Sequence, residues 1–202
     1  MERPLPPVTK VLQLLHSIDK LPRALETYLT AFLEVRSYQP QEFLLRCGDV
    51  CTCLSFITEG LMQVFPDEPF PAKASNHCSW FLMEGDMAIC AESFFGRMPS
   101  AENIQALEPT TVVSITYDNL QDVYDAFPDF NYHGRIVTQS YYIKAMSQLK
   151  ALRYKKAADT YRYLQVHCPN LVERIPARHL SGYLGVNERE ATALKRHKAI
   201  TE

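Results

Sequence analysis

The sequence predicts an α+β protein with an N-terminal double-stranded β-roll (jelly roll), a long dimerisation helix and a C-terminal winged-helix-like helix-turn-helix. Three observations predict this architecture. Hydrophobic residues make up 47% and charged residues 22% of the 202 positions, which is ordinary usage for a globular protein with a core. Short β-branched and aromatic segments occupy the stretch from about residue 35 to residue 116. Apolar residues at helical spacing precede and follow that stretch.

The first 35 residues predict two helices. Apolar side chains recur there at intervals of three and four, which is the period of a helix with one buried face. Pro22 lies where a second helix can begin. The apolar positions are Val11, Leu12, Leu14, Leu15, Ile18, Leu25, Leu29, Phe32 and Leu33.

Seven short strands are predicted in the central stretch. They are separated by turn residues, including Gly48-Asp49, Glu59-Gly60, Pro66-Asp67 and Gly85-Asp86. Many short strands at this spacing are typical of a sandwich, roll or barrel. The predicted strands are 35–38, 42–46, 53–59, 61–65, 78–83, 102–107 and 110–116.

A short helix and then a long helix are predicted after the strands. The run 117–119 offers an N-cap for the first, and the long helix spans about 129–152. Two apolar stripes on the long helix indicate that it is covered on two sides, one by the β-roll and the other by a partner subunit. A helix buried inside a monomer is the alternative. The first stripe contains Ile136 and Ile143, and the second contains Val137, Tyr141, Ala145 and Leu149.

Charge is divided unevenly along the chain, although the net charge is only −2. Residues 1–143 contain 9 basic and 18 acidic residues, whereas residues 144–202 contain 12 basic and 5 acidic residues. A basic end on an acidic body is the electrostatic pattern of a nucleic-acid-binding segment. A chance surface bias is the alternative.

The segment 174–198 fits a helix-turn-helix. Gly185 supplies the turn, where a left-handed backbone costs little, and Asn187 can cap the second helix. The second helix offers side chains of the types that contact phosphates and base edges in the major groove. An ordinary basic helical hairpin is the alternative. The predicted DNA-binding residues, taken as exposed, are Asn187, Arg189, Thr192, Lys195, Arg196 and Lys198.

The six cysteines favour structural thiols over a metal or redox site. Cys47, Cys51 and Cys53 form a cluster to which His77 and Cys78 could add ligands, but no CxxC pair accompanies it. A metal or redox role of the cluster is the alternative, and no cofactor is predicted. We find no spaced set of nucleophile, base and acid, so no enzyme is predicted. The absence of a signal sequence and of a long apolar run predicts a cytoplasmic protein without membrane contact.

The order of β-roll, long helix and helix-turn-helix resembles the Crp/Fnr family of bacterial transcription regulators, particularly the Bacteroidetes type. The resemblance rests on the runs 48–60, 84–86, 92–95 and 99–108, and on 161–164 and 175–186 in the C-terminal part. It implies a dimer through the long helix and a pseudo-palindromic DNA site. Half-sites would then lie about 34 Å apart, one turn of DNA.

Two departures from the family pattern change these expectations. Cyclic-nucleotide-binding members have a Gly-Glu pair and a later Arg followed by Ser or Thr, whereas here Ala91 precedes Glu92 and the later pair is Pro99-Ser100. We therefore expect a degenerate effector pocket, with no tight binding of cyclic AMP or cyclic GMP and an effector that the sequence does not identify. Ala193 occupies the place of an Arg that contacts bases in relatives. The predicted pocket residues are Glu92, Arg97, Ser100 and Ala101.

Three domains follow from these predictions. They are a cyclic-nucleotide-binding-like β-roll over 1–117, a helical region over 118–152 and a DNA-binding region over 153–202. The favoured function is a dimeric DNA-binding transcription regulator that does not respond to cyclic AMP. The alternative is a β-roll sensor or interaction module with no specific DNA recognition.

Overall fold

The computed structural model describes residues 5–67, 78–154 and 156–197. Two helices precede the sheets, a short helix interrupts the strands, and helices follow them to the end of the described chain. The helices are α1 Pro7–Ile18, α2 Arg23–Phe32, α3 Ala91–Gly96, α4 Tyr117–Ala126, α5 Asn131–Leu152, α6 Ala157–His167, α7 Pro169–Arg174, α8 Ala177–Leu184 and α9 Glu188–His197. The strands are β1 Glu34–Tyr38, β2 Phe43–Leu45, β3 Cys53–Glu59, β4 Leu61–Pro66, β5 Trp80–Met83, β6 Met87–Ala88, β7 Glu102–Ala106 and β8 Thr110–Thr116.

The strands form two four-stranded antiparallel sheets, in the orders β1-β8-β3-β6 and β2-β7-β4-β5. This arrangement confirms the mixed α+β class and the predicted jelly roll. The seven predicted strands are all present, with ends that differ by at most two residues. The sequence analysis missed β6, since two residues are too few to show an alternating pattern.

The main core lies between the two sheets and under the N-terminal helices. The inner faces of the sheets contribute Met62, Ile104 and Val113, each fully buried, and α1 and α2 contribute Leu15 and Leu29. Both helices begin directly after a proline that acts as N-cap, Pro6 for α1 and Pro22 for α2. The N-terminal helices are therefore part of the same core as the β-roll.

The cap of α4 differs from the predicted one. Thr116, the last residue of β8, is the N-cap, and its side-chain oxygen accepts a hydrogen bond from the Asn119 amide at 3.2 Å. Tyr117 already belongs to the helix. The prediction of a cap within 117–119 is wrong because the extended backbone of Thr116 places a hydroxyl at the helix start without an intervening loop.

The two sides of α5 have different surroundings. Tyr141 stacks on Trp80 with ring centroids 5.4 Å apart, and Lys144 forms an ion pair with Asp86. The opposite side is uncovered: Ile143 of the first predicted stripe is 65% exposed, and Leu149 of the second is 50% exposed. The alternative of a helix buried inside a monomer is wrong, since only His133 and Ala151 of α5 are buried.

A second core joins the outer face of the β2-β7-β4-β5 sheet to the C-terminal helices. Leu61 and Phe81 project from that sheet, and the ring of Phe81 lies 5.5 Å from the ring of Tyr183 on α8. The sequence analysis missed α7, whose six residues are too short for a periodic pattern. Within the described residues, no helix has the length and apolar character needed to cross a bilayer. The C-terminal members of this core are Tyr161, Leu164, Leu171, Val172, Ile175, Leu180 and Tyr183.

Candidate effector pocket and nucleic-acid interface

The segment around α3 holds the predicted pocket residues, but it leaves no free cation there. Arg97 is the one lysine or arginine between positions 78 and 134. It ends α3 in a left-handed conformation with φ of 53°, and its guanidinium carbon lies 4.7 Å from the centre of the Tyr117 ring. A cation held over an aromatic face is already engaged. Glu92, on the same helix, is exposed.

Ser100 is also engaged by its neighbours. The residue is 3% exposed, and its hydroxyl donates to the Glu102 carbonyl at 2.8 Å and accepts from the Glu102 amide at 3.1 Å. Ala101 is exposed and has no polar side-chain group. The four predicted residues are therefore close in the chain, yet they do not present convergent donors to an anion.

Glu102 is an acidic residue of this region that the sequence analysis missed. It begins β7, and alternation along the strand places it on the same face as Ile104 and Ala106, both buried. Burial raises the pKa of Glu102, against a hydrogen bond from Ser79 that lowers it, and the Glu92 carboxylate raises it further. The alternation with two core residues was the signal that could have identified it. A negative group in this position disfavours a cyclic phosphate.

The start of α9 is built by a capping box. Gly185 ends α8 with φ of 67°, a left-handed conformation that glycine adopts at little cost. The Asn187 side-chain oxygen accepts from the Glu190 amide at 3.0 Å, and the Glu190 carboxylate accepts from the Asn187 amide at 3.3 Å. Asn187 is thus the cap that we predicted, with its side-chain oxygen already used.

Two arginines of α9 are available for a ligand. Arg189 and Arg196 are exposed and form no ion pair with any described residue. They lie seven residues apart, so they occupy one face of the helix, with the exposed Ala193 between them. The Thr192 hydroxyl instead donates to the Glu188 carbonyl at 2.8 Å, and Thr192 is half-buried.

Lys195 is not the free cation that the sequence predicted. Its Nζ donates to the Ile175 carbonyl at 2.5 Å and to the Glu173 carbonyl at 3.4 Å. The side chain is half-buried, and burial lowers the pKa of Lys195. It therefore satisfies the C-terminal carbonyls of α7. Lys198, another predicted DNA-binding residue, lies outside the described residues.

Arg174 ties the C-terminal helices to the β-roll. Its guanidinium forms two hydrogen bonds with the Glu84 carboxylate, at 2.8 and 3.0 Å, and an ion pair with Glu108. Burial would raise the pKa of Glu84, but the hydrogen bonds from Arg174 and from the Gly60 amide outweigh burial and lower it. The sequence analysis missed this contact, since its partners lie 66 and 90 residues apart in the chain.

The cysteine cluster is spread between core and surface. Cys51 is buried, its amide donates to the Ser93 hydroxyl at 2.8 Å, and burial raises the pKa of its thiol. Cys47 and Cys53 are half-buried. Across the described ranges, no three His, Cys, Asp or Glu side chains are grouped so that they could hold a metal ion. His77, a predicted additional ligand, lies outside those ranges.

Comparison with known proteins identifies the β-roll. Residues 35–127 match the family model of the cyclic nucleotide-binding domain. The fold of CLP, a c-di-GMP responsive global regulator of Xanthomonas campestris, is similar over 88% of this chain and 92% of that one, with 13% identity and a TM-score of 0.66. FixK2 from Bradyrhizobium japonicum is similar over 83% and 84%, with 11% identity and a TM-score of 0.67.

A third similar structure comes from a different kind of protein. The C-linker/CNBHD of zELK channels matches at 23% identity with a TM-score of 0.52, over 66% of this chain and 63% of that chain. No curated protein matches the chain in sequence. Identities at this level show a shared fold, and the same fold occurs here in regulators and in a channel.

Proposed function

We propose, from the match of residues 35–127 to the cyclic nucleotide-binding domain, that the chain is a dimeric DNA-binding transcription regulator of the Crp/Fnr type. In this proposal the protein does not respond to cyclic AMP. The β-roll with its N-terminal helices, over 1–117, is the sensor; 118–152 is the dimerisation region; and 153–202 is a helix-turn-helix DNA-binding domain. No catalytic activity is proposed.

The main support for DNA binding is the position of Arg189 and Arg196 on α9. Both guanidinium groups are exposed on one face of α9, at the end of a segment in which basic residues outnumber acidic ones by 12 to 5. Uncommitted guanidinium groups two helical turns apart are suited to phosphates and to guanine edges in a major groove. The helix is preceded by α8 and a tight turn, as in a helix-turn-helix.

The uncovered side of α5 supports dimerisation. Tyr142 and Ile143 are 63% and 65% exposed, and Met146 and Leu149 continue the same surface. An apolar strip of this length on one helix indicates a site of protein–protein contact. A second copy of α5 offers a matching strip, as an isologous interface requires.

The surroundings of α3 support the absence of a cyclic AMP response. Arg97 is engaged by Tyr117, Pro99 stands where relatives have an arginine, and Glu102 adds a carboxylate on the inner face. Titration calorimetry with cyclic AMP is the test. Affinity in the micromolar range or tighter contradicts this part of the proposal, whereas absence of saturable heat at millimolar nucleotide supports it.

A sensor or interaction module without DNA recognition is the second candidate. The engagement of Lys195 by α7 and the presence of Ala193 in the centre of the exposed face favour it. The zELK match shows that the fold is not restricted to regulators.

The deciding experiment selects bound duplexes from a random DNA pool and titrates the best one at two salt concentrations. A two-fold symmetric motif with half-sites about ten base pairs apart supports the regulator. Salt-sensitive binding without an enriched motif contradicts specific recognition and favours the second candidate. Ile143→Glu should reduce the motif to a single half-site, and Val35→Glu, an equally apolar exposed residue on β1, is the control.

A further inference from the structure

We propose that a cavity between the N-terminal helices, α3 and α5 binds a small, largely apolar molecule with one hydrogen-bond donor, about the size of phenol. The cavity is separate from the predicted pocket residues: Glu92, Arg97, Ser100 and Ala101 are not part of its wall. The inference does not depend on DNA binding.

The size and lining of the cavity select an apolar ring. Its volume is about 120 Å³. An engineered apolar cavity of about 150 Å³ stays dry and accepts benzene, so one aromatic ring is the appropriate size here. Most of its wall is hydrocarbon from α1, α2, β8, α4 and the turn before α5, including Val11, Leu15, Leu29, Ile115, Leu120 and Phe130.

His133 provides a hydrogen-bond acceptor in the cavity wall, and the ligand therefore needs one donor. His133 lines the cavity, and the residue is 4% exposed. Its Nε2 lies 3.1 Å from the Asp19 carbonyl oxygen, which can only accept, so Nε2 carries a hydrogen. In the imidazole tautomer with its hydrogen on Nε2, the lone pair is at Nδ1. That Nδ1 is buried and has no hydrogen-bond partner among the described residues.

The unpaired acceptor Nδ1 of His133 favours a ligand that has a hydroxyl or N–H group. A buried polar group without a partner is costly, and a hydroxyl or N–H group brought in by a ligand would remove that cost. A carboxylate only accepts hydrogen bonds and would lose its hydration in the apolar wall, so it is disfavoured. Phenol should therefore bind, toluene should bind less tightly, and benzoate should not bind.

The cavity opens between α3 and α5, so a bound ligand would lie between these two helices. Phe95 of α3 is 57% exposed and Thr138 of α5 is exposed, and both line the cavity. The ligand would thus contact α3, beside the predicted effector segment, and α5, the proposed dimerisation helix. A bound molecule would stabilise the packing of these two helices against the β-roll.

The test compares phenol, toluene and benzoate by thermal unfolding and by titration calorimetry on the full chain. Phenol should stabilise the protein saturably, with a dissociation constant on the order of 0.1–1 mM for so small a ligand. Toluene should bind roughly tenfold more weakly, the value of one hydrogen bond. Equal affinity for phenol and toluene, or no saturable effect of either, overturns the proposal.

Two variants and one spectrum locate the site. His133→Phe keeps a ring and should reduce the affinity for phenol to that for toluene, and Ala91→Leu fills part of the cavity and should weaken both. If either variant fails to fold, the ¹⁵N resonance of His133 Nδ1 in the wild-type protein decides. Phenol should shift that resonance and toluene should not. Phenol binding without the shift, or unchanged in Ala91→Leu, places the ligand elsewhere and overturns the proposal.

Discussion

The α3–β7 segment and α9 are both places where the sequence predicts binding to a ligand, and they differ in the state of their arginines. Arg97, in the first, is exposed, but its guanidinium group lies over the Tyr117 ring. Arg189 and Arg196, in the second, are exposed and unpaired in the described chain. The difference teaches that the number of basic residues in a segment does not determine anion binding; what matters is whether each cation is already engaged.

The strongest test of this comparison removes the two uncommitted arginines. Arg189→Ala combined with Arg196→Ala should lower DNA affinity by roughly tenfold or more, and should reduce the slope of log affinity against log salt by about two, since two phosphate contacts are lost. Fluorescence anisotropy at several salt concentrations measures both quantities. Arg23→Ala, an exposed arginine on α2, is the control and should change neither. An unchanged slope would show that α9 does not contact the backbone.

The next largest expected effect is a loss of stability when Arg174, which contacts two carboxylates, is replaced. Arg174→Met removes its ion pairs with Glu84 and Glu108. These groups are partly exposed, so we expect a loss of about 1 kcal/mol in the free energy of unfolding. Urea unfolding monitored by circular dichroism measures it. A double variant with Glu84→Gln should show coupling, and fully additive effects would contradict the contact.

Lys195 should behave as an engaged cation, in contrast to Arg196 beside it. Lys195→Met leaves the α7 carbonyls without a donor, so we expect about 0.5 kcal/mol lower stability and a change in DNA affinity below about threefold. Urea unfolding and anisotropy on the same sample compare the two effects. A loss of affinity as large as that of Arg196→Ala would contradict the engagement of Lys195.

The smallest effect is a pH dependence at α8. Burial, helped by the adjacent Arg178, lowers the pKa of His179 to about 4, and Arg178 Nε donates to its ring nitrogen at 2.9 Å. The unfolded chain binds this proton below about pH 6.5, and the folded chain only near pH 4. Stability should therefore fall as the pH decreases from about 6.5 towards 4. His179→Gln should flatten that part of a stability–pH curve, and an identical curve would contradict the depressed pKa.

The sequence predicted the elements whose signals are local. The strands, the helices α1, α2 and α5, and the Asn187 cap follow from alternation, apolar spacing and residue type. It did not predict the engagement of Lys195 or Arg174, since their partners lie between 20 and 90 residues away. The inward position of Glu102 could have been predicted, because it alternates with Ile104 along the strand. Strand β6 could not, because two residues are too few to show a period.

The second core joins the β-roll to the C-terminal helices, so these two parts of the chain share one hydrophobic interior. Its members include residues from the outer face of a sheet and from the three helices α6, α7 and α8. The boundary between residues 152 and 153 therefore cuts through one hydrophobic core and does not separate two independent cores. A protein cut at that point would expose Leu61 and Phe81 to water and would be prone to aggregation. The two parts should also melt together in a calorimeter, as one cooperative unit.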